Sequence, residues 1–310
     1  MKSRPQSAIL KLSMNKENTL ILKTAFTIAN KTRAEAVLVH ADSLDDLIFE
    51  ERVAKKFDLV LLSKKKRIEA GEDETHSLAA VAKATIALPR IHLTRISLIK
   101  IATTLALSQE IIKPGARLVF VVGQADSGPL DLIQRVDTSK ESEIIAGRGV
   151  TKIAEAVQPE LFQAVLNLSI ELADKGREGK AIGTIFVVGD HEKVMQLSRQ
   201  MIMNPFKGYE EEERNILIPS LKETIREFSA MDGAFVIADD GTVLASGRYL
   251  GAAIDESALP RGLGSRHIAA AGITSLTKAI AFVISESSGD VRIFKDGKII
   301  MHIEKAESKR

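Results

Sequence analysis

The sequence predicts an α/β protein built from two domains. Its 310 residues are more than one small hydrophobic core needs, and a content of 45% apolar and 27% charged residues is typical of a globular chain. Strand and helix signals alternate along both halves of the chain, which is the pattern of α/β folds. A polar stretch at residues 137–148 separates the halves, so we place the domains at residues 1–150 and 151–310.

The first domain is predicted from four apolar segments that alternate with amphipathic ones. The predicted strands are residues 35–41, 58–63, 84–89 and 116–123. The predicted helices are residues 20–30, 42–56 and 94–108, and the polar residues 64–77 are interpreted as a loop or a short exposed helix. Strands joined through helices form a mainly parallel sheet covered on both faces, so we expect a three-layer α/β/α domain.

The second domain continues the alternation and adds two hairpin signals. Helices are predicted at residues 154–175, 191–203, 219–231 and 266–276. Strands are predicted at residues 183–190, 234–238, 242–246 and 279–285. Asp239-Asp240-Gly241 and Asp296-Gly297 are turn sequences typical of tight β-hairpins.

The overall charge and the missing residue types exclude several function classes. A net charge of +2 gives no global field that would attract nucleic acid or a membrane, so any phosphate site must be a local arrangement of donors. The absence of cysteine excludes disulfides, thiolate metal sites and cysteine nucleophiles. The longest apolar stretch, residues 91–112, is interrupted by charged residues, and the N-terminus lacks the apolar core of a signal peptide. We therefore expect a cytoplasmic protein with no membrane or nucleic-acid partner.

Three short stretches of the second half contain residue types used in phosphate chemistry. They are Met231-Asp232-Gly233-Ala234, Gly264-Ser265-Arg266-His267 and Ser285-Glu286-Ser287. Each also has an ordinary explanation: Asp232-Gly233 as a tight turn, Ser265 as a helix N-cap, and Ser285-Glu286 as the end of a strand. No stretch taken alone decides between the two explanations.

The second stretch favours an anion site on physical grounds. Gly262 and Gly264 allow a sharp bend before a helix whose first turn has unpaired N–H groups, and such helix starts attract anions. Arg266 and His267 as cations at that end oppose the helix dipole unless an anion lies beside them. Phosphate is the natural candidate, because arginine can bind it with two parallel hydrogen bonds. The chain has no Walker A motif and no G-x-G-x-x-G around Gly262, so another device must hold any nucleotide.

The three stretches, in this order and spacing, resemble the diadenylate cyclase (DAC) domain of DisA-type proteins. That family has a D-G-A motif, a G-[TS]-R-H motif that opens a helix, and an S-E pair that ends the next strand. GTIFVVGD at residues 183–190 resembles an early strand of the same domain, so the resemblance covers roughly the last half of the chain. The first half, with AFTIANKTRAEAVLVHADS and KFDLVLLSKK, is similar to the C-terminal domain of pyruvate kinase. This pair of domains resembles the archaeal diadenylate cyclases.

The resemblance implies an enzyme that condenses two ATP molecules into the second messenger cyclic di-3′,5′-AMP (c-di-AMP) and releases two pyrophosphates. It implies a C-terminal DAC domain with a mixed β-sheet flanked by helices, and a divalent metal, Mn²⁺ or Mg²⁺, as cofactor. Each DAC domain supplies one ATP and half of the active site, which implies self-association as a homodimer or larger. The N-terminal domain then serves regulation or assembly.

Residue roles are implied by the resemblance in the same way. Asp232 activates the attacking 3′-hydroxyl, directly or through the metal, and Arg266 and His267 stabilise charge on the phosphates. Leu250 packs on the adenine. The full set implied to bind ATP is Gly233, Ala234, Tyr249, Leu250, Gly264, Ser265, Arg266, His267, Ser285 and Glu286.

Two positions depart from the family pattern. Many members have a third basic residue after the Arg-His pair and a charged residue after Ser-Glu, where this chain has Ile268 and Ser287. Arg248 or Arg261 is a candidate to replace the missing cation. The departures leave an alternative open, in which the chain is a catalytically degenerate sensor that binds a nucleotide or c-di-AMP without turnover.

Overall fold

The computed structural model describes residues 16–44, 57–65, 81–123, 129–140, 157–252, 260 and 262–305. The chain divides into two compact units, the first comprising residues 1–106 and 110–144 and the second residues 107–109 and 145–310. The boundary predicted at residues 150 and 151 lies outside the described residues. None of the described helices combines the length and the apolar character that crossing a membrane needs.

The first unit contains a five-stranded sheet and two α-helices in its described residues. Its elements are α1 (Lys16–Thr32), β1 (Ala36–His40), β2 (Asp58–Ser63), β3 (Ala84–Ala87), α2 (Arg95–Ser108), β4 (Arg117–Gly123) and β5 (Leu130–Asp137). The strand order is β3-β2-β1-β4-β5. The first four strands are parallel and β5 runs antiparallel to β4. The predicted mainly parallel sheet is confirmed.

Both faces of this sheet are buried. On one face Leu22 and Phe26 of α1 join Val37 of β1 in an apolar cluster. Leu38 and Phe120 point to the opposite face, because side chains alternate along a strand, and they are also fully buried. Burial on both sides is what the continuous apolar runs of these strands require.

The sequence pattern misses one strand of this unit and covers one region that is only partly described. LDLIQRVD, the sequence of β5, alternates polar and apolar residues too weakly to predict a strand, and its pairing with β4 stabilises it. Of the predicted helix at residues 42–56, a 3-10 turn at Ala41–Ser43 is described, and residues 45–56 lie outside the described part. Most of the polar stretch at residues 64–77 also lies outside it.

The second unit contains a seven-stranded mixed sheet in its described residues. Its helices are α3 (Pro159–Lys175), α4 (His191–Gln196), α5 (Leu221–Phe228) and α6 (Ser265–Leu276). Its strands are β6 (Ile185–Val188), β7 (Ser198–Gln200), β8 (Ala234–Ile237), β9 (Val243–Leu250), β10 (Ile280–Ile284), β11 (Val291–Lys295) and β12 (Lys298–Ile303). The strand order is β12-β11-β10-β6-β8-β9-β7, with β6 and β8 parallel and the other neighbours antiparallel. The mixed sheet expected for the C-terminal half is confirmed.

Helices α6 and α3 cover opposite faces of this second sheet. Ile185 and Val187 of β6 join Ala270 of α6 in one apolar cluster. On the other face, the ring centroids of Phe162 in α3 and Phe282 in β10 lie 5.4 Å apart. The alternation of side chains along β6 and β10 thus builds one core on each side of the sheet.

The helix predicted at residues 191–203 is wrong in its second half. Helix α4 ends at Gln196, and the residues that follow form β7, which pairs with the end of β9. The guanidinium of Arg248 in β9 donates to the carbonyl oxygens of Met195 and Ser198, at 2.8 and 2.6 Å. These bonds satisfy carbonyls at the helix end, so a tertiary contact overrides the local helical pattern.

Candidate active site

The strand register brings the three motif stretches to one end of the second sheet. Ile185, the first residue of β6, pairs with Ala234, the first residue of β8, and with Val283 near the end of β10. Asp232-Gly233 therefore precedes β8 at the same end where Ser285-Glu286 follows β10. Neighbouring strands lie about 4.8 Å apart, so roughly 10 Å separates these two stretches across the sheet.

Asp232 lies in the loop between α5 and β8, with an exposed side chain. Its Oδ1 accepts a hydrogen bond from the N–H of Gly233 at 3.0 Å, and Gly233 has a φ of 105°. Asp232 and Gly233 therefore do form a tight turn, as the ordinary explanation of this pair requires. The Oδ2 atom has no partner among the described residues, so the carboxylate can still accept a proton or bind a hard cation.

Helix α6 begins at the same end of the sheet with free backbone donors. Gly264 is its N-cap and Ser265 its first residue, and no side chain caps this end. The explanation of Ser265 as an N-cap is therefore wrong. Gly262 has a φ of 89°, as the predicted bend requires. The backbone N–H groups of Ser265 and Arg266 have no acceptor among the described residues, so they are available as hydrogen-bond donors at this end of the sheet.

The side chain of Arg266 meets Glu286 directly. Its Nη1 lies 3.1 Å from Oε2 of Glu286, and both side chains are partly exposed. Gly183 lies under this pair: a Cβ added to Gly183 would lie 2.5 Å from Nη1 of Arg266 and 2.9 Å from Cβ of Glu286. The second and third motif stretches thus touch, and a glycine makes room for their contact.

His267 is buried, with only 6% of its surface exposed. Its Nε2 lies 3.2 Å from Nη1 of Arg292. Burial, followed by the charge of Arg292, lowers the pKa of His267 to about 4, so the ring is neutral at pH 7. The expectation of two cations at the start of α6 is therefore wrong for His267, and Arg266 alone is charged there.

A charged chain continues behind His267. Asp290 Oδ2 lies 3.1 Å from Nη2 of Arg292 and 3.1 Å from Nε2 of His302. Although burial opposes the charged form, hydrogen bonds from the side chains of His302 and Ser288 hold the pKa of Asp290 below its ordinary value. Arg292 and His302 are direct cross-strand partners of β11 and β12.

Ser285 and Glu286 end β10 in a closed turn. Ser285 is buried, and its Oγ accepts the N–H of Ser288 at 3.4 Å and lies 3.3 Å from Oγ of Ser287. The N–H of Gly289 donates to the carbonyl oxygen of Ser285 at 2.8 Å. Ser287, one of the two departures from the family pattern, is thus part of a hydroxyl-lined turn rather than a charged group.

Two residues of the expected nucleotide set lie in the core. Ala234 and Leu250 both belong to the apolar cluster beneath α6, and Leu250 is 5% exposed. Tyr249, in contrast, is 49% exposed, and the guanidinium carbon of Arg199 lies 5.0 Å from its ring centroid. Of the adjacent pair in β9, Tyr249 is the side chain that offers an aromatic surface to solvent.

Arg248 does not replace the missing third cation. Arg248 is 9% exposed, and its guanidinium donates to neutral acceptors among the described residues, which include Oγ of Ser198 at 2.8 Å. Burial lowers the pKa of Arg248. This side chain is committed to the contact between α4, β7 and β9, and the other candidate, Arg261, lies outside the described residues.

Sequence reasoning misses four residues of this site: Gly183, Asp290, Arg292 and His302. A signal exists for Gly183, since a glycine beside a buried strand often permits a close approach of other groups. No local signal marks the other three, because alternating charged and apolar residues in a hairpin are typical of any half-exposed strand pair.

Comparisons with known proteins match the part of the chain that contains this site. Residues 171–299 match the DAC family model, described as DisA bacterial checkpoint controller nucleotide-binding, and all three motif stretches fall within that range. A Methanocaldococcus jannaschii protein named diadenylate cyclase is 40% identical over 196 residues, which are 63% of this chain and 62% of that protein. The match thus spans less than two thirds of that relative.

A second relative and a solved structure extend the comparison. A Haloferax volcanii protein, also named diadenylate cyclase, is 37% identical over 202 residues, which are 64% of this chain and 72% of that protein. The crystal structure of a double mutant of DacA from Staphylococcus aureus is 24% identical, with a TM-score of 0.31, over 47% of this chain and 87% of that one.

Proposed function

The chain belongs to the diadenylate cyclase family, and we propose that it condenses two ATP molecules into c-di-AMP and releases two pyrophosphates. The observation that carries the proposal is the meeting of Asp232, the start of α6 and the end of β10 at one end of the second sheet. An exposed carboxylate, unpaired N–H donors and an arginine are the groups that attack of a hydroxyl on a phosphate needs.

Each half of the reaction is the same displacement. The 3′-hydroxyl oxygen of one ATP attacks the α-phosphorus of the facing ATP. A bond forms between these two atoms, the bond from phosphorus to the oxygen that bridges to the β-phosphate breaks, and pyrophosphate leaves with the electron pair. Asp232, whose Oδ2 is unpaired among the described residues, orients the hydroxyl and receives its proton. The second displacement, from the other ATP, closes the ring.

The start of α6 holds the phosphates in this proposal. The N–H groups of Ser265 and Arg266 supply fixed donors, and the helix dipole favours an anion there. The ion pair of Arg266 with Glu286 is partly exposed, and such pairs contribute only about 0–1 kcal/mol. A triphosphate can therefore replace Glu286 as the partner of Arg266, whose guanidinium would donate two parallel hydrogen bonds to phosphate oxygens.

A divalent metal fits one residue of the site. Among the described residues no group of three or more histidine, cysteine, aspartate or glutamate side chains could hold a metal ion. The exposed carboxylate of Asp232 is a hard oxygen ligand, and Mg²⁺ or Mn²⁺ commonly combines one or two carboxylates with substrate phosphates and water. Such an ion, when bound, would neutralise phosphate charge and lower the pKa of the attacking hydroxyl.

The chemistry requires two copies of the chain. One copy offers one carboxylate at Asp232 and one α6 start, whereas two displacements in opposite directions need two of each. We therefore propose a homodimer or larger assembly, in which the second unit of one chain faces the second unit of another about a two-fold axis. The first unit, within residues 1–150 and with a sheet of its own, would assemble or regulate the enzyme of residues 151–310.

The test is direct detection of the product. Purified full-length protein is incubated with ATP and either Mg²⁺ or Mn²⁺, and the mixture is analysed by mass spectrometry. We expect c-di-AMP and pyrophosphate in a ratio of one to two. Absence of c-di-AMP with both metals, together with binding of ATP or c-di-AMP in calorimetry, would reject the enzyme and favour the degenerate sensor suggested by Ile268 and Ser287.

A further inference from the structure

The residues behind His267 form a continuous hydrogen-bonded chain across two strands. His302 of β12 and Arg292 of β11 both contact Oδ2 of Asp290, at 3.1 Å each, and Arg292 continues to Nε2 of His267 at 3.2 Å. The N–H of Lys305 donates to Oδ1 of Asp290 at 3.3 Å, so both carboxylate oxygens are held. This series of hydrogen bonds therefore begins at the last strand and ends at His267 in α6.

The direction of each bond in this chain follows from the donors. A guanidinium has hydrogens on every nitrogen and no acceptor, so Arg292 must donate to both Asp290 and His267. Nε2 of His267 is then the acceptor, and the single ring hydrogen of a neutral imidazole must be on Nδ1. His302 donates from its own Nε2, because a carboxylate oxygen only accepts.

The Nδ1 atom of His267 is buried and has no hydrogen-bond partner among the described residues. A buried N–H without an acceptor costs about 1–3 kcal/mol, which a protein retains where the group has a use. His267 lies in the first turn of α6, next to Ser265 and Arg266, where the proposed function places phosphate oxygens. Phosphate oxygens are acceptors only, and they would complete the set of partners of this ring.

We propose that Arg292, Asp290 and His302 are positioning residues that hold His267 as a neutral ring with its hydrogen on Nδ1, so that His267 serves ATP as a hydrogen-bond donor and not as a cation. The use of this donor rests on the proposed function, but the tautomer is a property of the protein without nucleotide. The charged and titratable groups that act on His267 are Arg292 from β11, Asp290 directly before β11, His302 from β12 and Arg266 from α6 itself. Burial, Arg292, His302 and Arg266 oppose protonation of the ring, and Asp290 favours it.

Long-range ¹H–¹⁵N spectra of the full chain with ¹⁵N-labelled histidine read the tautomer without any nucleotide or turnover. His267→Gln assigns the signal. We expect the neutral pattern with hydrogen on Nδ1, unchanged between pH 8 and pH 5.5. A ring with hydrogen on Nε2, or a ring protonated at pH 7, would overturn the proposal whatever the enzyme makes, and absence of c-di-AMP synthesis would leave this result standing.

Arg292→Met removes the donor while nearly keeping the length of the side chain, and Lys298→Met removes a cation from the same hairpin as a control. We expect Arg292→Met to lose the single Nδ1–H pattern, and to raise the pKa of His267 above its wild-type value while burial still holds it below the ordinary one. Its kcat/KM for ATP should then fall more steeply between pH 8 and pH 6 than that of wild type or of Lys298→Met. Arg292→Lys, which still donates, should keep the pattern, and this variant decides if Arg292→Met does not fold. A wild-type pattern in Arg292→Met, or loss of the pattern in Arg292→Lys, would contradict the positioning role.

Discussion

Gly233 packs directly against Gly247 where β8 and β9 meet. A Cβ added to Gly233 would lie 2.6 Å from the carbonyl carbon of Gly247 and 2.7 Å from the backbone nitrogen of Arg248. Both glycines have positive φ, 105° for Gly233 and 68° for Gly247. The glycine of the D-G-A motif thus permits a close approach of two backbones, and this approach sets the position of Asp232 beside the sheet.

Gly233→Ala should therefore be damaging for two separate reasons. The positive φ strains an alanine by about 1–3 kcal/mol, and the clash with backbone atoms of β9 adds to that strain because a backbone cannot rotate away. Gly179→Ala is the matched control, since Gly179 has a φ of 75° and open space around its Cβ position. Urea unfolding should show that Gly233→Ala lowers the free energy of unfolding clearly more than Gly179→Ala does. Equal decreases in the two variants would contradict the packing argument.

Gly183→Ala tests the contact of Arg266 with Glu286. The φ of Gly183 is not positive, so alanine adds no backbone strain, but its Cβ would lie 2.5 Å from Nη1 of Arg266. We expect the guanidinium to be displaced and the KM for ATP to rise about ten- to a hundredfold, the value of a lost charge-assisted hydrogen bond. Steady-state kinetics and a melting curve measure this. A normal KM in a folded Gly183→Ala protein would remove Arg266 from the phosphate site.

His267 should make the protein less stable in mild acid. Its pKa is about 4 in the folded protein and about 6.5 when unfolded, so the unfolded chain binds the extra proton first as pH falls. The stabilisation is fully present above pH 6.5 and declines towards pH 4, by about 2 kcal/mol between pH 7.5 and pH 5. Urea unfolding of wild type and His267→Gln at both values measures it. The variant lacks the titrating ring, so its free energy of unfolding should fall less between pH 7.5 and pH 5. An identical decrease in both proteins would contradict this account.

Mixed assemblies should reveal that the site is shared. An excess of Asp232→Asn chains places most wild-type chains opposite a partner that cannot activate its own 3′-hydroxyl. Only one of the two displacements then proceeds, so a linear dinucleotide that keeps one triphosphate should accumulate at the expense of c-di-AMP. Mass spectrometry distinguishes the linear from the cyclic product. Unchanged c-di-AMP output per wild-type chain would show that one chain suffices.

Much of the fold is readable from the sequence because its strands are continuous apolar runs. The strand at Asp58–Ser63 and the turn at Asp296-Gly297 are local features, and the structure has them where the pattern predicts them. The end of α4 is not local, because it depends on a guanidinium from β9. The segments β5 and β7 likewise become strands through pairing with a neighbour that is distant in sequence.

The candidate site also contains residues that the local sequence marks and residues that it does not. Motif residues such as Asp232 and Arg266 are marked by their chemical type and by the turn or helix start on which they lie. Their surroundings are not marked: the neutral state of His267 depends on its burial and then on Arg292, which lies 25 residues further along the chain. Burial and charge partners of this kind become visible only when the strands are placed side by side.

The central claim is that this end of the sheet activates a ribose hydroxyl through Asp232, and one pair of variants tests it most directly. Asp232→Asn keeps an oxygen that can accept the N–H of Gly233, and Asp239→Asn changes another exposed aspartate, at the opposite end of β8. The measurement is c-di-AMP formed from ATP, by mass spectrometry, with ATP affinity and melting temperature determined on the same samples. We predict at least a hundredfold loss of product for Asp232→Asn with both other quantities retained, as removal of a general base gives about a 10²–10⁴-fold effect, and wild-type output for Asp239→Asn. Full activity of Asp232→Asn would contradict the account.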